Sequence, residues 1–198
     1  MIRAVFFDFY SVWTPDKISY YLAIGQQNGP ETYKQLCDVV EAYYHGKIDI
    51  NFLADSFRVK LGHEDISSKI FLLQEKDISP QVINFMRGLH GHFLKLGILA
   101  NLGIQEYKLL SDFNEHNQIF ETIASPLSLQ LNLPLMSREV FGKSLQAIGE
   151  PLDNSVLVSG NLALLEFASN LGMGVIQFEG FDKLQKTIDQ LVNQDLSS

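Results

Sequence analysis

Apolar residues fall into two regimes along this chain. Ala4-Val5-Phe6-Phe7 is an unbroken run that stops at Asp8. Such a run predicts a strand buried on both faces of a parallel sheet, and an acid at its carboxyl end lies where open α/β sheets place ligands. From about Thr14 to Asp77 the spacing turns helical. Asp16 is placed to cap a helix carrying Ile18, Tyr21 and Leu22, weakened at Gly25 and stopped at Gly29-Pro30. Glu31 to about Tyr44 repeats apolar positions at helical spacing and ends at Gly46. Asp49 opens a third helix through Phe52, Leu53, Phe57 and Val59 to Leu61-Gly62, and a fourth is expected over Ile66 to about Leu73.

A second regime begins at Ile78-Ser79-Pro80. Ser79 is suited to capping and Pro80 to a first helical turn, launching Val82, Phe85, Met86 and Leu89. Strands are then expected at Leu94–Ala100, Ile119–Ala124, Ser155–Ser159 and Val175–Phe178. Helices between them are expected at Ile104–Phe113, Arg138–Ile148 and Leu162–Asn170, with a last one carrying Leu184, Ile188, Leu191 and Val192. Strand–helix alternation with short connections predicts an α/β fold, a Rossmann-like parallel sheet with an inserted α-helical cap. The expected division is a core of residues 1–13 and 78–198 and a cap of residues 14–77.

Composition narrows the function classes. Hydrophobic residues make up 46% of the 198 and charged residues 19%, the balance of a folded globular protein. The formal net charge of −8 disfavours nucleic acid and anionic membrane as partners, leaving a small-molecule substrate or ligand, with a homodimer left open. Cys37 is the only cysteine, which precludes an internal disulfide and a cysteine zinc site; it reads as a small apolar residue in a helix. No run approaches the ~20 apolar residues of a membrane span, so a cytoplasmic location is expected.

The order of parts resembles the haloacid dehalogenase (HAD) superfamily, in its subgroup with a helical cap after the first strand. The resemblance rests on Phe7-Asp8-Phe9-Tyr10, on Leu96-Gly97-Ile98-Leu99-Ala100-Asn101, on Val158-Ser159-Gly160-Asn161, and on Ala168 to Met173. Tyr44-His45-Gly46-Lys47-Ile48-Asp49 also looks like a cap-helix sequence of the subgroup. It implies a carboxylate nucleophile, Asp8, that forms a covalent intermediate later cleaved by water. The phosphatase pattern is not matched. Tyr10 stands at the acid/base position, Ala100 at the hydroxyl position, Leu133 or Leu135 at the lysine position, and Ser159-Gly160 where a magnesium site needs acids. The metal-independent 2-haloacid dehalogenases are more similar, with Asp-x-Tyr and Ser-x-Asn motifs like Asp8-Phe9-Tyr10 and Ser159-Gly160-Asn161, and an asparagine like Asn101.

That resemblance implies Asp8 and Tyr10 as catalytic residues, Asn101, Ser159 and Asn161 as substrate-binding residues, and neither metal nor cofactor. The pattern also expects a threonine where Val12 stands and an acid where Leu164 stands. These gaps set a second expectation beside the first: a catalytically degenerate member that binds a ligand or a protein. The polar candidates also have ordinary structural roles, since short polar side chains after strands bond readily to loop backbone. Lys95, Lys143 and Arg58 are poorly placed to supply the missing charge, and His90 and His92, two apart on a helix, point in different directions.

Overall fold

The computed structural model describes residues 2–195 apart from 15, 75, 76, 79 and 91–93, and of residues 192–195 the backbone alone. The expected roles of Ser79, His92 and the Val192 side chain lie outside the described residues.

Five strands, β1 (Ala4–Phe7), β2 (Lys95–Leu99), β3 (Thr122–Ala124), β4 (Ser155–Ser159) and β5 (Gly174–Gln177), form one parallel sheet in the order β3-β2-β1-β4-β5. The apolar runs account for it. Every residue of β1 and β4 is buried, and their alternate side chains feed two cores. Val5, Phe7, Leu96, Ile98 and Val158 face one, while Ala4, Phe6, Leu99 and Leu157 face the other. A period of two with both faces apolar is what a sheet covered on each side requires.

Register positions the site. Phe7 pairs with Ile98 of β2 and with Val158 of β4, so the first residues beyond the central strand lie beside the ends of both neighbours. The chain runs outward through β2 and β3 on one side and through β4 and β5 on the other. Between β1 and β4 the winding reverses, which opens a crevice at the carboxyl ends of the strands.

Helix α1 (Phe9–Val12) follows β1 directly. Four helices come next: α2 (Lys17–Gln27), α3 (Pro30–Tyr44), α4 (Ile50–Leu61) and α5 (Ser68–Phe71). They enclose their own apolar cluster, including Leu36, Tyr43, Leu53, Phe57 and Ile66. Asp16 and Asp49 cap α2 and α4 by accepting from the backbone of Ser19 and Phe52, at 2.9 and 2.8 Å. Gly46 and Gly62 take the left-handed conformations at the ends of α3 and α4 (φ +68° and +69°). The sheet is covered by α6 (Pro80–His90), α7 (Ile104–Asn117), α8 (Arg138–Ile148), α9 (Leu162–Leu171) and α10 (Phe181–Asp195). Among the described residues no helix is long and apolar enough to cross a membrane.

Differences from the sequence reading are local. The short α1 was not anticipated, because four residues cannot display a helical period. Pro30 begins α3 rather than only ending α2, its fixed φ suiting the first turn. The expected helix over Ile66–Leu73 shrinks to α5, with Ile66 buried ahead of it, and β3 keeps only the last three residues of its apolar run.

Candidate functional site

Asp8 ends β1, with its backbone N–H still donating to the Val158 carbonyl at 2.9 Å. The residue is 8% exposed. Its carboxylate oxygen Oδ2 accepts from two hydroxyls, Ser159 Oγ at 2.7 Å and Ser11 Oγ at 2.8 Å. Each hydroxyl is oriented by a backbone donor from the turn after β4. The Gly160 N–H donates to Ser11 Oγ at 2.8 Å, and the Asn161 N–H to Ser159 Oγ at 2.9 Å. The two hydroxyls also lie 3.3 Å from each other, so Asp8 Oδ2 and the two serines form one hydrogen-bonded cluster. Among the described residues no side chain donates to the other oxygen, Oδ1.

Burial pushes the Asp8 carboxyl above its ordinary range. The Ser159 and Ser11 hydroxyls pull it back, and the nearby charge of Asp16 pushes it up again. Among the described residues no lysine or arginine opposes this shift. Lys95 starts β2, at the opposite edge of the parallel sheet, and its Nζ pairs with Glu150 at 2.9 Å. Arg58 pairs with Asp55 at 2.7 Å within α4, and Lys143 lies 3.8 Å from Glu139 within α8.

A cleft of about 540 Å³ lies in front of Asp8. Of the five residues singled out from sequence, Asp8, Tyr10, Asn101 and Asn161 line it. Ser159 is fully buried and reaches the site through its hydroxyl on Asp8. Asn161 also has the ordinary role weighed for it: its Oδ1 accepts from the Leu164 N–H at 3.2 Å and caps α9. Pro134 and Leu135 line the wall at the place of the expected lysine. The helical segment supplies Asp16, Ile18, Glu41, Tyr44 and His45. Cys37 lies half-buried on α3, as a helical residue, and also reaches the cleft.

Two polar atoms at this cleft are buried without a partner, the Tyr10 hydroxyl and His45 Nδ1. Burial drives the Tyr10 phenol well above its ordinary range, reinforced by Tyr44 and Glu106. The His45 side chain is only 5% exposed, and its Nε2 lies 3.6 Å from the Glu41 carboxylate. The helical segment is also tied to α7. Tyr43 Oη donates to Glu106 Oε2 at 2.6 Å, both residues being buried. Burial raises the Glu106 carboxyl, an effect the Tyr43 hydrogen bond reduces.

Ser11, Asp16, Glu41, His45 and Glu106 were not picked out as site residues from sequence. Ser11 had a signal: a hydroxyl three residues after Asp8 meets the acid if a helical turn starts there. The donors around Asp8 do not suit magnesium. Two hydroxyl protons point at Oδ2 where a cation needs lone pairs, and the described residues contain no group of three His, Cys, Asp or Glu able to hold a metal.

No protein-family model matches the chain, and no curated protein matches it by sequence. Solved structures do match. A predicted HAD-like family hydrolase from Porphyromonas gingivalis superposes with a TM-score of 0.63 at 14% identity, covering 97% of this chain and 98% of that one. A HAD family enzyme from Bacteroides thetaiotaomicron, in complex with magnesium and inorganic phosphate, gives 0.60 at 16% identity over 89% of this chain and 94% of its own. The L-2-haloacid dehalogenase from Xanthobacter autotrophicus gives 0.57 at 16% identity over 88% and 76%.

Proposed function

We propose, from a chain that has the haloacid dehalogenase superfamily fold, that it is a metal-independent hydrolase with Asp8 as nucleophile. In this reading residues 14–77 form a cap over a core of residues 1–13 and 78–198. The arrangement of Asp8 carries the proposal. One carboxylate oxygen is fixed by Ser11 and Ser159, and the residue borders a cleft large enough for a small organic substrate. An anchored Oδ2 leaves Oδ1 as the attacking atom.

The chemistry has two steps. Asp8 Oδ1 attacks a carbon bearing a leaving group; the C–O bond forms as the bond to the leaving group breaks, and that group departs with the electron pair. Water then adds to the Asp8 carboxyl carbon, the alcohol product leaves, one proton is released, and the carboxylate is restored. Neither step needs a Lewis acid. Tyr10 and Asn101 serve the leaving-group side, and Asn161 positions substrate or water. Ser159 holds the nucleophile, and Ser11 supplies the hydroxyl that the motif pattern seeks at Val12.

A second reading is binding without turnover. What favours it is the cleft wall, which among the described residues contains no lysine or arginine. A panel of 2-haloacids, neutral haloalkanes and phosphoesters, with and without magnesium, separates the two. Halide release that Asp8→Asn abolishes, by at least the ~10²-fold typical of a lost catalytic group, is the expected result. Magnesium-dependent phosphate release overturns the proposal, and silence across the panel selects the binding module.

A further inference from the structure

The charged groups around the cleft are all of one sign. Asp8, Asp16 and Glu41 line it, and among the described residues no lysine or arginine does. A site of this polarity repels phosphate and carboxylate substrates, and the net charge of −8 works in the same direction. Burial is the main cause of the pushed-up Asp8 carboxyl, and the charge of Asp16 adds to it.

Three further observations give the complementary ligand a character. The rest of the wall is apolar and aromatic, from Ile18, Val40, Leu135 and Leu164 with Tyr10 and Tyr44, so the ligand has a hydrocarbon body. The acids do not converge into a metal-ligating group among the described residues, which sets aside a bare divalent cation. Independently of the carboxylates, Tyr10 and His45, two residues of the cleft lining, each carry a buried polar atom with no partner in the protein, the Tyr10 hydroxyl and His45 Nδ1. A hydroxyl oxygen and an imidazole nitrogen both accept from an N–H donor, and burying such groups unpaired is costly unless a ligand completes them. Aromatic rings and carboxylates together are a common setting for an organic cation.

We propose that the cleft takes an organic ammonium with an apolar body, its charged head held among Asp8, Asp16 and Glu41 and its hydrocarbon part against the aliphatic wall. The proposal rests on the reading of this cleft as the ligand site and gives that reading its chemical class. It also accounts for the missing lysine, because the ligand brings the positive charge that the protein does not place beside Asp8. A bound ammonium favours the ionised form of Asp8.

Calorimetric titration of the full chain with n-hexylammonium, n-hexanol, n-hexanoate and n-hexyl phosphate tests this. These probes share the hydrocarbon and differ in the head. The ammonium is expected to bind more than tenfold tighter than the alcohol, and the two anions not measurably. Glu41→Gln and Asp16→Asn each weaken it by up to about fivefold, the scale of a partly exposed charge pair. Both changes keep an oxygen acceptor, and thermal melts verify that the variants remain folded. Anion binding equal to or stronger than that of the ammonium overturns the proposal, as does absence of ammonium binding or an affinity unchanged in the double variant. Turnover of an anionic 2-haloacid keeps the hydrolase and overturns the ammonium. Ammonium binding without turnover of any substrate does the reverse.

Discussion

Ser159 and Ser11 make the same hydrogen bond to Asp8, but their surroundings differ. Ser159 is fully buried, whereas Ser11 is half-exposed at the cleft. Water can replace a lost Ser11 hydroxyl and cannot readily replace Ser159. Ser159→Ala is therefore expected to cost about 1–3 kcal/mol at neutral pH, the range for leaving a buried charged group short of a donor, and Ser11→Ala less. Denaturant unfolding of both variants measures the difference. The deficit of Ser159→Ala shrinks as acid protonates Asp8, because the neutral carboxyl depends less on donated hydrogen bonds. Asp8 itself was legible in the sequence, as an acid ending a buried run. Ser11 was not, because its contact arises from α1, a turn of four residues with no periodicity to read.

At the scale of elements, long apolar runs and end signals were readable. The strands containing Val5, Ile98 and Val158, the caps Asp16 and Asp49, and the glycines ending α3 and α4 lie where local chemistry places them. Contact between elements distant in sequence has no such local signature. Tyr43 read as an apolar helix position, yet its hydroxyl reaches Glu106, sixty-three positions away. Gly103, before α7, lets this happen: a Cβ there would stand 2.2 Å from Tyr43 Cζ. Gly103→Ala must push that ring aside, at about 1–3 kcal/mol for overpacking. A lowered melting temperature with little change in far-UV circular dichroism is the expected outcome. A variant as stable as the parent would show that the Tyr43 ring yields freely.

For the whole molecule, shape persists where sequence has diverged. Identities of 14–16% to the solved structures still accompany TM-scores of 0.57–0.63. A sheet needs only apolar positions in the correct period, whereas a site needs particular groups at particular positions. Two buried acids, Asp8 and Glu106, with carboxyls raised by burial, also tie global stability to pH. Between the ordinary carboxylate range and the raised one, the folded protein holds more protons than the unfolded chain. Stability attributable to these groups therefore falls as pH rises through that window, by at most about 1.4 kcal/mol per pH unit for each. Glu106→Gln is expected to flatten the slope in melts taken across the window, and an unchanged slope would exclude Glu106 as a source.

The hydroxyl pair on Oδ2 also settles where acid acts. Both serine protons already occupy that atom's lone pairs, so an incoming proton cannot land there unless a hydroxyl swings round and gives up its hold. Neither hydroxyl donates to Oδ1. On the proposed mechanism, mild acidification disarms the nucleophile at Oδ1 while the Ser11 and Ser159 contacts to Oδ2 remain, so that lost reactivity and a preserved resting pose arrive together.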